Sequence, residues 1–173
     1  KLCEQDMEYV EMISNSGNNL LQVIDEILDL SRNRAACDIH EAHLGSELRE
    51  NLSILVVEDD LVNQKVIQLL LGKLHLNAEY VKNGLEAINA LKIKPYEVVF
   101  MDMEMPKMGG VEATKFIRGH NLGKHPFIIA LTANAFEDNR IECLDAGMDG
   151  FLSKPVNIDE VKYQLLKFQD KVA

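Results

Sequence analysis

Four short apolar runs in this chain each end in a residue that can do chemistry. Ile54-Leu55-Val56-Val57 runs into Glu58 and Asp59, and Val98-Val99-Phe100-Met101 runs into Asp102. Phe127-Ile128-Ile129-Ala130-Leu131 is followed by Thr132, and Phe151-Leu152-Ser153 by Lys154. If these runs are parallel strands of an open α/β sheet, their carboxyl ends lie along one edge, where such sheets bind ligands. Like charges brought together there repel by about 4 kcal/mol per pair at about 4 Å and an effective dielectric of about 20. Nothing structural recovers that cost, so a cation is expected, and carboxylate and carbonyl oxygens with room for water suit Mg2+. A carboxylate at the end of a central strand can also act as a nucleophile toward phosphorus. Phosphoryl transfer then needs mainly positioning and charge neutralisation. Lys154 would supply part of that charge, and Thr132 a hydroxyl within reach of a phosphoryl oxygen. These residue types point to magnesium-dependent phosphoryl transfer onto Asp102.

The elements that must position these residues alternate strictly from Leu52 onward. The pattern predicts strands near 52–58, 78–81, 97–101, 127–131 and 150–152. Helices are predicted near 61–74, 84–92, 111–119, 136–146 and 157–170. Asn83-Gly84, Pro95, Pro106 with Gly109-Gly110, Pro126, Gly147 and Lys154-Pro155 punctuate them. Five such βα units imply an α/β fold, a parallel sheet with helices on both faces.

Composition narrows the function. The chain has 173 residues and a net charge of −10. Residues 1–50 hold 4 basic and 11 acidic side chains, and the rest hold 14 and 17. No basic face suggests nucleic-acid binding. No apolar run is long enough to span a membrane, and no signal-peptide pattern opens the chain. Cys3, Cys37 and Cys143 are odd in number and widely spaced, as expected of a reduced, cytoplasmic protein. His40-Glu41-Ala42-His43 has the wrong spacing for a zinc-protease motif and reads as linker. The first residue is Lys1, so the chain reads as a piece of something longer.

On these motifs, residues 52–173 resemble the receiver domain of two-component response regulators. The resemblance rests on Ile54-Leu55-Val56-Val57-Glu58-Asp59, Met101-Asp102-Met103-Glu104-Met105-Pro106, Ala130-Leu131-Thr132-Ala133 and Lys154-Pro155. It implies a doubly wound, five-stranded, flavodoxin-like sheet with Asp102 as phosphoacceptor. It implies Asp59 and Asp102 as direct magnesium ligands, Glu58 acting through water, and the Glu104 carbonyl completing the protein ligands. It also implies a switch of Thr132 and Phe151, a cis peptide before Pro155, self-phosphorylation from phosphohistidine and slow autodephosphorylation. Asn63-Gln64-Lys65-Val66 and Leu131-Thr132-Ala133-Asn134-Ala135 are similar to the receivers of hybrid histidine kinases. The implied partner is a histidine-phosphotransfer protein or a histidine kinase. The apolar first helix (Val62, Val66, Ile67, Leu69, Leu70, Leu71, Leu74) would present its surplus to that partner. There are three departures from the family pattern. Gly109 stands where Asp is usual, Phe151 replaces the commoner Tyr, and Glu104 sets a negative side chain beside the site.

Residues 1–33 resemble the second helix of a histidine-kinase dimerisation hairpin, with 34–51 as linker. Val10, Ile13, Gly17, Leu20, Ile24 and Ile27 form a seam through which residues 4–32 would pair in a homodimer. The phosphoacceptor-histidine helix and the nucleotide-binding domain are missing, and no G-x-G occurs. ATP-dependent kinase activity is therefore not expected of this chain, whose full-length parent would be membrane-attached. Two other classes compete. A non-catalytic dimerising scaffold would not need the charge cluster. A phosphatase of the haloacid-dehalogenase type would want an acid two residues after its nucleophile; Glu104 has that spacing, but Pro106 breaks the rest of the pattern.

Overall fold

The structure, a computed structural model, describes residues 48–120, 122, 125–133 and 137–172. These belong to the compact unit Ser46–Ala173. The expected helix at 4–32, both linker histidines and Asn134-Ala135 lie outside the described residues.

Five parallel strands form one sheet: β1 (Ile54–Val57), β2 (Ala78–Val81), β3 (Val98–Asp102), β4 (Phe127–Thr132) and β5 (Gly150–Ser153), in the order β2-β1-β3-β4-β5. The three inner strands are buried at every residue, which is why they read as unbroken apolar runs. The outer strands β2 and β5 are only partly covered. Register pairs Val57 with Met101, and Asp102 with Leu131. The chain leaves β1 for β2 on one side and returns to β3 on the other. That reversal opens a crevice between the carboxyl ends of β1 and β3, where Glu58 and Asp59 meet Asp102.

The strand pleat divides the core in two. Val56, Phe100 and Ile129 face α1 (Leu61–Lys73) and α5 (Ile158–Val172), packing on Ile67, Leu71, Val161 and Leu165. Leu55, Val99 and Ile128 face α2 (Gly84–Ile93), α3 (Gly110–Gly119) and α4 (Glu137–Asp145), packing on Ala87, Ile88 and Ile117. Full burial of each such aliphatic side chain contributes about 1.5–3 kcal/mol.

Side-chain caps fix where helices begin. Asp60 accepts from the N–H of Val62 at 2.7 Å and of Asn63 at 2.9 Å, starting α1 immediately beyond the acids of β1. Asn83 caps α2 by accepting from Glu86 N–H at 3.1 Å. The predicted elements agree with these to within two residues at each end.

The opposite edge of the sheet is locked by α3. Arg118 donates to Gly147 O at 2.8 Å, Pro126 O at 2.9 Å and Asp149 Oδ2 at 2.7 Å. The chain enters the domain at this edge too: Leu48 packs on the first core layer, and Arg49 N–H donates to Gln169 Oε1 at 2.8 Å. Among the described residues no helix is long and apolar enough to cross a membrane.

Candidate functional site

Carboxylate oxygens of Glu58, Asp59 and Asp102 lie within 4.8 Å of one another at the crevice. Glu58 is 1% and Asp102 5% exposed, whereas Asp59 is open to solvent. Two buried acids and an exposed one thus come together at the sheet edge.

Lys154 joins the cluster from beyond β5. Its Nζ lies 2.8 Å from Asp102 Oδ2 and 2.7 Å from Glu58 Oε2. The Lys154 N–H donates to Thr132 O at 2.8 Å, tying the end of β5 to that of β4 where the lysine departs. The following Lys154–Pro155 peptide is cis. Thr132 is buried at the end of β4. Phe151 is half-buried against the second core layer, and its carbonyl accepts from Gln164 Nε2 at 3.1 Å. Glu104 N–H approaches Asp102 Oδ1 at 3.4 Å, and the Glu104 side chain is exposed. The loop therefore brings the Glu104 backbone, not its carboxylate, to the phosphoacceptor candidate.

Burial raises the Asp102 carboxyl above the ordinary range; the hydrogen bond and charge of Lys154 pull it back, and Glu58 pushes it further up. Burial works against the Lys154 ammonium, but Asp102 and Glu58 outweigh it and hold its pKa above that of a free lysine. The ion pairs thus keep Lys154 charged, while Asp102 remains short of compensating charge.

That shortfall is a test of cation binding. Three carboxylates against one ammonium leave two negative charges, the charge of one divalent ion. Glu58 Oε2 is buried and lies 2.7 Å from Lys154 Nζ, and a carboxylate oxygen has a second lone pair beyond the one that faces the ammonium. Hard oxygen donors, one of them exposed, fit a small divalent cation that keeps some of its water. Glu58, Asp59, Asp102 and the backbone near Glu104 are the groups positioned to hold it.

Three supporting residues escaped the sequence reading of the site. Asn63 Nδ2 donates to Glu58 Oε1 at 3.1 Å, and Gln64 Nε2 to Glu58 O at 2.6 Å. Gly110 lies so close to β3 that a Cβ there would stand 2.2 Å from Asp102 O. The signal for the first two was the adjacent amide pair in the first turn of the helix, three and four positions after the Asp60 cap.

Residues 54–165 match the model of the response regulator receiver domain family. The chain is 36% identical over 172 residues to probable histidine kinase 1 of Oryza sativa subsp. indica, covering 78% of this chain and 18% of that kinase. It is also similar to the receiver domain of sensor histidine kinase PA1611 from Pseudomonas aeruginosa, whose crystal structure has magnesium coordinated in the active site cleft. That likeness has 37% identity and a TM-score of 0.63, covering 68% of this chain and 97% of that one. A third likeness is to the co-crystal structure of the Saccharomyces cerevisiae phosphotransfer signaling protein Ypd1 with the receiver domain of its downstream response regulator Ssk1. There the identity is 29% and the TM-score 0.64, over 68% of this chain and 88% of that one.

The fold and the crevice of acids define a receiver of two-component signalling. The chain belongs to the response regulator receiver domain family, and its relatives include hybrid histidine kinases, of which it spans only a minor part.

Proposed function

We propose that this chain takes a phosphoryl group from a phosphohistidine onto Asp102 and passes it on or signals by a change of shape. The observation that carries this reading is the placement of Lys154 against both Asp102 and Glu58, at 2.8 and 2.7 Å. An oxygen of Asp102 attacks phosphorus, a P–O bond forms, and the P–N bond to the donor imidazole breaks, leaving its electron pair on nitrogen. Lys154 keeps the nucleophile oriented and offers its ammonium to the phosphoryl oxygens as charge shifts onto the acceptor. Thr132, at the end of the neighbouring strand, supplies a hydroxyl to the new phosphoryl group. Its movement and that of Phe151 then carry the change outward. Magnesium, held by Asp59, Asp102, the Glu104 carbonyl and, through water, Glu58, would neutralise the phosphoryl oxygens.

The partner would be a histidine-phosphotransfer protein or the kinase itself. Leu61, Val62 and Leu69 are 66%, 70% and 58% exposed on α1, the helix that starts at the crevice, an apolar surface suited to a partner helix. The same reading places the domain in the cytoplasm. It also takes residues 4–32 as a homodimer contact, supported by the Val10, Ile13, Leu20, Ile24 and Ile27 seam. The test is transfer from a phosphorylated histidine-phosphotransfer protein to this chain. Label should appear on the wild type and not on Asp102→Asn; equal labelling of both would remove Asp102 from its role.

A further inference from the structure

We propose that Asn63 is a positioning residue for the carboxylate of Glu58, fixing which oxygen that acid offers, through water, to a bound cation. The proposal rests on the reading above that the crevice binds magnesium. Glu58 is 1% exposed, and its two oxygens have different surroundings. Oε1 accepts from Asn63 Nδ2 at 3.1 Å and, more weakly, from Asp60 N–H at 3.3 Å. A carboxylate can only accept, so the Asn63 amide presents its nitrogen there. Oε2 is turned to Lys154, 2.7 Å from its Nζ, and to the other acids. Gln64 secures the same residue from behind, donating to the Glu58 carbonyl at 2.6 Å.

With both amides in place, the first turn of α1 holds Glu58 at its backbone and at one carboxylate oxygen. The direction of the second oxygen follows from geometry. Without Asn63, the single long bond from Asp60 is left to restrain Oε1. The carboxylate can then rotate and share both oxygens with Lys154, which competes for the same lone pairs with the water that links Glu58 to the cation. Asn63 sits next to Val62 on α1, so the residue that aims Glu58 adjoins the exposed apolar face.

The experiment titrates the full chain with magnesium alone, by calorimetry, in the wild type, Asn63→Leu and Asn63→Gln. Phosphorylation by acetyl phosphate is then followed across magnesium concentrations. Asn63→Leu should weaken magnesium binding about tenfold, as expected for one hydrogen bond to a charged group. The magnesium needed for half-maximal phosphorylation should rise by the same factor, with the rate at saturating magnesium held within about twofold. Asn63→Gln keeps an amide donor and should recover most of the affinity. A folded Asn63→Leu chain with wild-type magnesium affinity overturns the proposal. If that variant melts too early to titrate, Asn63→Ala is judged by the same criterion. A wild type that binds no magnesium overturns the metal reading itself, whereas a normal wild type with unaffected variants overturns only the role of Asn63.

Discussion

Lys154 reaches across an intervening strand to Asp102: its Nζ, carried past the end of β5, lies 2.8 Å from Oδ2 at the end of β3, with β4 between them. The same ammonium lies 2.7 Å from Glu58 beyond β1. One cation therefore ties together three strand ends, and the energetics of the site turn on it.

Replacing Lys154 with Met leaves two buried acids without that charge. Truncating one partner of such a pair is strongly destabilising, and with Lys154 partly open to water roughly 2–4 kcal/mol is expected. Thermal melts should show a lower Tm without magnesium and a larger magnesium-induced recovery than in the wild type. Phosphoryl acceptance should fall at least about tenfold, since the ammonium acts on the developing charge. An unchanged Tm would mean that the ion pairs carry no stability.

Asp102 should make the metal-free domain less stable at neutral pH. Burial raises its folded pKa, with Lys154 opposing and Glu58 adding to the rise. The sign follows from linkage: the stabilising contribution is full below the unfolded carboxyl value of about 3.9 and is lost as pH rises through the higher folded value. Asp102→Asn escapes that loss. At pH 7 without magnesium, Asp102→Asn should melt higher by roughly 2–6 °C, equivalent to about 1 kcal/mol. The gain should vanish near pH 4, and melting curves across that range check it.

Gly110→Ala should damage the site through the backbone. A Cβ would stand 2.2 Å from Asp102 O and 3.0 Å from Met101 Cγ, so α3 or the end of β3 has to move. Overpacking of this kind costs about 1–3 kcal/mol, and magnesium affinity should fall with the displaced strand end. Denaturant unfolding and a magnesium titration on the same sample test both effects.

Arg118→Met should separate stability from chemistry. Arg118 holds Gly147, Pro126 and Asp149 together at the opposite sheet edge, and Asp149 Oδ2 also accepts from Ile128 N–H at 2.9 Å. The substitution should cost roughly 2–3 kcal/mol by leaving the Gly147 and Pro126 carbonyls short of a donor, while Asp149 keeps Ile128 N–H and Lys171. Magnesium affinity of the folded protein, measured by titration well below its Tm, should stay within about twofold, since the change is remote from the crevice.

Much of this architecture was legible because the inner strands are buried on both faces. Burial of that kind forces continuous apolar runs, and Val98–Asp102 and Phe127–Thr132 announce themselves by it. The acids were legible for the complementary reason: a charge directly after such a run sits at a strand end. Contacts set by three-dimensional register were less visible. Nothing in the spacing of Lys154 tells that it pairs with Glu58 as well as Asp102. Asn63 and Gln64 read as markers of a receiver subtype until α1 brought them against Glu58. The second acid after Glu58, Asp60, serves as a helix cap, a role identified by its bonds to Val62 and Asn63. Arg118 and Asp149, 31 positions apart, carry no local pattern to connect them.

The most direct test of the central claim is the intact mass of the chain after incubation with magnesium and acetyl phosphate, beside Asp102→Asn. The account predicts that the wild type gains one phosphoryl group, that the gain requires magnesium, and that the variant gains none. A wild type that binds magnesium yet gains no phosphoryl group, or a variant that gains one as the wild type does, would contradict it.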